Sequence, residues 1–360
     1  MSGHYRRHLW QGVRMATDLP LPESRVTDPR DAPPLRWGVL APGFIAGRWV
    51  HAVRTHTSQR VVAAGSRSLE RAQAFAGTHG IDRAYGSYQQ LVEDPDVDVV
   101  VVASPHSHHR DQALLAIAAG KHVLVEKAFT RNATEARELV DAARSAGVLL
   151  MEAMWTRYLP HTDVVRRLLE DGALGDVHRV TADYGVRADR DPTHRLLDPA
   201  LAGGVLLDLG VYPLAFASFA ASGARPSTVQ AAGELASTGV DAQVSALVGY
   251  GSGLQASVFT SMLAATPHTA EIAGSAGRVE VGENFYLPTT VTLVRDGERV
   301  TWDDNRIHGH DGLCFQAAAL ARYVTEGRTE SPWQPLEETV TILETADEIR
   351  RQLGVVYPGE

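Results

Sequence analysis

Residues 36–47 read RWGVLAPGFIAG, and their pattern decides the fold. RWGVL is a short apolar, strand-like run. From residue 44 to residue 55 the spacing turns helical, with Ile45, Trp49, Val50 and Val53 on one face. The joint, Ala41-Pro42-Gly43-Phe44-Ile45-Ala46, matches the G-x-G-x-x-A dinucleotide fingerprint with alanine in place of the first glycine. Gly43 would let the backbone approach a pyrophosphate at the helix N-terminus, where unpaired N–H groups and the helix dipole favour an anion. Ala46 would keep helix and strand close. One altered fingerprint also fits a plain strand–turn–helix, so the weight rests on the segments C-terminal to it.

Those segments repeat the unit. Residues 61–65 read as a strand feeding the helix LERAQAF (69–75). DVDVVVVASP (96–105) is almost wholly apolar up to a turn signal, as in a strand buried on both faces. DQALLAIAAG (111–120) reads as a helix ended by Gly120, and HVLVEK (122–127) as the next strand. Asn132 with Glu135 makes a capping-box start for TEARELVDAARSAG (134–147), which Gly147 closes before the strand VLLM (148–151). Alternation of this kind predicts a Rossmann-type, doubly wound parallel sheet.

The second half changes character. HRVTADYGV (178–186), STVQAAGEL (227–235), AQVSALVGY (242–250), GLQASVFTSM (253–262), TAEIAGSAGRVEV (269–281) and TVTLVRDGERVTW (290–302) are strand-like runs joined by Gly-rich turns. They predict an open, mostly antiparallel sheet, followed by two helices over 315–327 and 336–354. The α/β chain thus divides into a proline-rich tail over 1–34, a dinucleotide-binding domain over 35–154, and a substrate-binding and dimerisation domain over 155–360.

Composition excludes several classes. At 360 residues the chain exceeds one ordinary core, which supports the two-domain reading. A formal net charge of -9 argues against a nucleic-acid partner, which needs a concentrated positive face. The single cysteine, Cys314, excludes an internal disulfide framework and a multi-thiolate site. No apolar run approaches the ~20 residues of a membrane span. Arg6, Arg7 and Arg14 are not followed by a signal-peptide core, so a cytoplasmic location is expected and no membrane partner. His106, His108 and His109, like His308, His310 and Asp311, lack helical zinc-site spacing, so no metal is expected.

The tip of the second strand bears on the choice of dinucleotide. NAD binding uses an acidic residue there, whereas this chain has Ser66-Arg67. A hydroxyl and a guanidinium suit a 2′-phosphate, so NADP is the expected cofactor over NAD. A solvated surface arginine is the bland alternative.

HVLVEKA (122–128) and GGVLLDLGVYPL (203–214), with YGSYQQLVEDPDVDVV, LMEAMWTRYLP and ESPWQPLEETV, bring a family into view. From about residue 35 to its end the chain resembles the glucose–fructose oxidoreductase / inositol dehydrogenase (Gfo/Idh/MocA) family, in particular its dihydrodiol and NADP-linked xylose dehydrogenase branch. The resemblance implies a Rossmann domain and an α/β domain whose open sheet often forms a homodimer. It puts the family's Glu-Lys-Pro motif on Glu126, Lys127 and Ala128, with Lys127 as the catalytic lysine and alanine departing from the pattern. It puts the Asp-x-Gly-x-His motif on Asp208, Gly210 and Tyr212, tyrosine being this branch's form. Ser104, His106 and His109 match the loop near the nicotinamide in relatives.

These residue types suit one chemistry. Oxidising a carbinol moves a hydride to the nicotinamide while the hydroxyl loses a proton, which some group must accept. A phenol is a poor base at its ordinary pKa of about 10, and a nearby ammonium would lower it. Asp208 and Tyr212, four apart, share a face on a helical turn, with Pro213 marking a helix start or a kink. Trp155, Arg157 and Tyr158 would line a substrate pocket or pack at the domain junction. The leading expectation is an NADP-dependent dehydrogenase of an aldose such as xylose, an inositol or a trans-dihydrodiol, with a polyol or sugar as its small-molecule partner. An NAD-retaining glycosidase and a catalytically silent dinucleotide sensor are the rival readings.

Overall fold

The valine run 99–102 is buried on every side, which requires cover on both faces of the strand it forms. In the computed structural model, which describes residues 21–187, 191 and 193–360, that strand is central. The first sheet comprises β1 (Arg36–Leu40), β2 (Arg60–Gly65), β3 (Arg83–Tyr85), β4 (Val99–Val102), β5 (His122–Val125) and β6 (Leu150–Glu152). All are parallel, in the order β3-β2-β1-β4-β5-β6. The strand order reverses between β1 and β4, which opens a crevice at their C-terminal ends. The connections are α1 (Phe44–His56), α2 (Leu69–His79), α3 (Tyr88–Val92), α4 (His109–Ala118) and α5 (Ala133–Ala146).

Local chemistry sets the boundaries. Ser68 and Ser87 cap α2 and α3 with their hydroxyls. The Asn132 side chain accepts from Glu135 N at 2.9 Å, but the Glu135 carboxylate takes the N–H of Arg131, not that of Asn132. The capping box is therefore half formed. Gly147 ends α5 at φ 66°.

The second sheet holds β7 (Val177–Gly185), β8 (Pro226–Leu235), β9 (Asp241–Tyr250), β10 (Gln255–Ser261), β11 (Ala270–Gly274), β12 (Arg278–Val281), β13 (Val291–Arg295) and β14 (Glu298–Trp302). Their order is β14-β13-β12-β11-β7-β10-β9-β8, antiparallel except for the β7–β10 pair. Four further helices complete the fold: α6 (Pro160–Glu170), α7 (Val211–Ala220), α8 (Leu313–Thr325) and α9 (Leu336–Leu353). α7 and α9 cover the inner face of this sheet, while α9 also packs on α5 and α8 on α1, joining the two sheets through helices. Val180, Ala182, Val244, Ile272 and Val279 point into that core. The outward face is mixed. Arg179 pairs with Glu271 at 3.2 Å and Arg299 with Glu280 at 2.6 Å, and Leu247 is exposed farther along the sheet, on β9.

Two further segments bear on the expectations from sequence. Residues 1–20 of the tail lie outside the described residues, but 21–34 are bound to the body. Arg25 donates its backbone N–H and its guanidinium to the buried carboxylate of Asp163 on α6. In addition, Pro199–Ala220 is long and apolar enough to cross a membrane by length and composition. Asp208 and the glycines interrupt its apolar residues, so a search for continuous apolar runs passes over it. It is mostly buried inside the protein, as an interior helical segment.

That segment is folded tightly. Short 3-10 turns at Arg195–Leu197 and Pro199–Leu201 lead to a π turn at Leu206–Gly210, which runs into α7. The buried carboxylate of Asp241 accepts from Leu206 N at 2.6 Å and so starts the π turn. Gly204 lies at φ 105°, and a Cβ there would come within 2.3 Å of Asp241 Oδ1. Gly204→Ala should therefore cost about 2–4 kcal/mol from backbone strain and the clash together. Thermal melting would then show a clear fall in Tm, whereas a Tm within a degree of the parent would mean that the loop yields easily.

Candidate active site

β5 ends at Val125, so Glu126 and Lys127 leave the sheet at its C-terminal edge, where open α/β sheets bind ligands. The peptide between Lys127 and Ala128 is cis. From the other half, the π turn brings Asp208 across to meet the lysine. Lys127 Nζ donates to the Asp208 carbonyl oxygen and stands 3.5 Å from Asp208 Oδ1. The same ammonium lies 5.1 Å from the centre of the Tyr212 ring, and Arg195 Nη2 reaches Asp208 Oδ1 at 3.0 Å. Burial would raise the Asp208 carboxyl, but Lys127 and Arg195 outweigh it and hold the group below the usual carboxylate range.

Tyr212 is buried, and its hydroxyl oxygen accepts from Trp155 Nε1 at 3.0 Å. Burial, and after it the charge of Glu126, push the phenol well above its ordinary value. Lys127 lies over the ring face and does not offset this, contrary to the expected lowering. Pro213 falls in α7 just after the π turn, within a continuous helical segment and not at a free helix start.

These groups line a cavity of about 480 Å³ that runs from Ala41, Gly43, Phe44 and Ile45 past Ser104 and His106 to the lysine. Gly43 precedes α1 with no side-chain cap and no acidic residue in the first turn. A Cβ at Gly43 would have its nearest neighbour 3.9 Å away, so glycine keeps this approach open for a ligand and does not relieve a clash. Ala41, at φ 55°, occupies a backbone conformation that suits the fingerprint's glycine. Ser66 is buried and its hydroxyl accepts from Ser68 N at 3.3 Å, bracing the turn into α2. Arg67 next to it is exposed. His106 sits on the cavity wall with Nδ1 3.2 Å from Ala202 O; burial lowers its pKa to about 3, so the ring is neutral.

Ser66 and Arg67, at the tip of β2, do not line this cavity, and three further predicted residues are also elsewhere. His109 is buried with Nδ1 2.9 Å from Ala128 O and Nε2 2.8 Å from Ser104 O, so it braces two site loops and does not line the cavity. Arg157 is also buried, donating to Ala215 O at 2.8 Å and Glu338 Oε1 at 2.5 Å, which ties α7 to α9. Tyr158 donates to Ser331 Oγ at 2.9 Å, away from the cavity. Of that trio only Trp155 faces the cavity, because the 3-10 turn at Trp155–Tyr158 sends its side chains in different directions. Among the described residues, no three His, Cys, Asp or Glu side chains converge as a metal site requires.

Sequence reasoning missed the opposite wall. Tyr184 and Tyr286 stack at 4.2 Å between centroids, and Tyr212 lies within 5.7 Å of Tyr184 and 5.4 Å of Tyr286. His310 stacks on Trp155 at 5.9 Å. The alternation of β7 could have placed Tyr184 on the inner face with Val180 and Ala182. Arg195, Tyr286 and His310 lie outside the strands and helices of regular period and carried no such signal.

With this geometry in view, comparison places the chain among known proteins. Residues 35–154 match the oxidoreductase family with an NAD-binding Rossmann fold, and residues 162–280 match the GFO/IDH/MocA C-terminal domain. The chain is 37% identical to trans-1,2-dihydrobenzene-1,2-diol dehydrogenase of Sus scrofa, over 91% of this chain and 99% of the relative. It is 36% identical to the Xenopus tropicalis protein of the same name, over 90% and 99%. Among solved structures, the 3-ketoreductase KijD10 of Actinomadura kijaniata, in complex with NADP and TDP-benzene, is similar at a TM-score of 0.76 and 27% identity, over 89% of this chain and 98% of that one.

Glu126 offers a test of the site's electrostatics. Burial pushes its carboxyl up to about 7, Lys127 opposing this only in part. An acid whose pKa is higher in the folded than in the unfolded chain binds more protons when folded. Its presence therefore weakens stability progressively as pH rises from the unfolded pKa, about 4.3, toward 7. Glu126→Gln removes that loss. Melting curves should show the variant gaining Tm relative to the parent between pH 5 and pH 8; a difference that does not change with pH would disprove the raised carboxyl.

Proposed function

Because the chain belongs to the Gfo/Idh/MocA oxidoreductase family, we propose that it is an NADP-dependent dehydrogenase of polyhydroxylated rings. Its hydride would pass between the nicotinamide and a carbinol or carbonyl carbon of an aldose, an inositol or a trans-dihydrodiol. The observation that carries this reading is Lys127 held against both Asp208 and the Tyr212 ring in a cavity that begins at Gly43. The dinucleotide, when bound, accepts or donates the hydride. The open approach at Gly43 and the uncapped start of α1 suit its pyrophosphate.

The chain's own residues handle the proton. In the reductive direction Tyr212, kept protonated by burial, delivers its proton to the carbonyl oxygen, and Lys127 stabilises the charge growing there. In oxidation a phenolate must form first, which burial and the charge of Glu126 oppose. Asp208 keeps the lysine aimed. Tyr184, Tyr286 and His310 give flat walls with polar edges, which suit a ring that carries hydroxyl groups.

Two measurements test this reading. Arg67→Ala should weaken NADP by about 1–3 kcal/mol, the scale of a charge-assisted hydrogen bond, and leave NAD nearly unchanged. Titration of both cofactors decides it, and an equal loss for the two would remove Arg67 from the 2′-phosphate. Tyr212→Phe keeps the ring but removes its proton, so turnover should fall about 10²–10⁴-fold with NADP affinity little altered. Lys127→Ala should be at least as damaging, and the two losses should not add in the double variant. If Tyr212→Phe keeps near-normal turnover and the same basic limb in its pH–rate profile, Lys127 is the proton-transfer group.

A further inference from the structure

Although the chain as a whole carries a net charge of -9, the reactive end of its cavity brings two cations onto one carboxylate. Asp208 Oδ1 is flanked by two cations, Lys127 Nζ at 3.5 Å and Arg195 Nη2 at 3.0 Å. One carboxylate balances one of them. The other acid on the cavity wall, Glu126, is buried with its carboxyl near 7, so around neutrality it is partly protonated and balances the second cation incompletely. His106 contributes no charge, since burial keeps it neutral.

The two cations are placed differently. Lys127 is enclosed and engaged with the Asp208 carbonyl, beside the proton-transfer group. Arg195 stands on a short 3-10 turn with 51% of its side chain exposed. Among the described residues its guanidinium bonds Asp208 through one nitrogen only. A guanidinium carries five N–H donors in a planar fork that fits carboxylate or phosphate oxygens, so most of its donors remain for a ligand. A neutral sugar would leave that cation facing hydroxyl groups alone.

We propose that Arg195 anchors an anionic group of the substrate, so that the ring oxidised best carries a carboxylate or a phosphate in addition to its hydroxyl groups. The inference rests on the dehydrogenase reading of this same site. The reacting carbinol lies at Lys127 and Tyr212, and the anion lies against Arg195, which shares Asp208 Oδ1 with the lysine. A sugar acid or a sugar phosphate therefore fits better than the parent sugar.

The test titrates the protein, saturated with NADPH, with D-glucose, D-glucuronate and D-glucose 6-phosphate. Binding is followed by tryptophan fluorescence, which Trp155 on the cavity wall makes responsive. At least one of the two acids should bind about tenfold tighter than glucose at low salt, with the advantage shrinking as salt is added. Arg195→Gln should cut that preference to about twofold, and Arg195→Lys should keep part of it. Whichever acid shows the preference identifies the group as carboxylate or phosphate. Equal binding of acids and glucose would overturn the proposal, as would a preference that survives Arg195→Gln or a parallel loss of all three sugars in that variant. Oxidation is read separately with NADP: if the acid preference is seen and no polyhydroxylated ring is oxidised, the dehydrogenase reading falls and the anion anchor stands.

Discussion

The contact between Lys127 and Asp208 joins the two halves of the molecule at the point where both become useful. An ammonium at the edge of one sheet and a carboxylate on a helical turn above the other are each costly to bury alone, and each here meets an opposite charge. Because Lys127 bonds the backbone carbonyl as well as facing the carboxylate, it reads the path of the π turn as well as its charge. The surroundings then serve to hold that turn. Asp241 takes the N–H of Leu206, Tyr357 donates to the carbonyl of Gly203 at 2.7 Å, and the two glycines admit the close backbone approach.

Around this contact the protein buries acids that carry little or no neutralising charge. Glu126, Glu152 and Asp241 all have carboxyls raised by burial to about 7. Two of the three have structural partners. Glu152 takes the N–H of Phe129 and bonds from Gln334 and Thr339, which ties β6 to the start of α9. Asp241 starts the π turn. Glu126 alone faces the cavity, so its ionisation bears on the charge that a ligand meets as well as on stability. Proton state and site chemistry are linked here through one side chain.

Tyr212 shows how far a residue's type underdetermines its state. A phenol near an ammonium is expected to be acidified, yet what counts is where the ammonium sits. Lys127 lies over the ring face, and burial with the negative charge of Glu126 outweighs the acidifying bond that Trp155 donates to the oxygen. Burial thus keeps the phenol protonated, a state that suits giving a proton in reduction and opposes accepting one in oxidation.

Read alone, the sequence determined what depends on local pattern. The valine run of β4, the helical face of α1 and the glycine at residue 43 specify a doubly wound sheet, because strand and helix periods and turn chemistry act over a few residues. The resemblance of two short motifs also brought Lys127, Asp208 and Tyr212 into view. Only the tertiary structure decided what lies across each face. Periodicity shows that Arg157, Tyr158 and His109 are near important segments, but not that they turn toward Glu338, Ser331 and the backbone carbonyls. Nor does it bring Tyr184, Arg195, Tyr286 and His310, from one strand and three irregular segments, to a single cavity wall. Long-range packing sets both those directions and the burial that shifts Glu126 and Tyr212, and no window of sequence contains it.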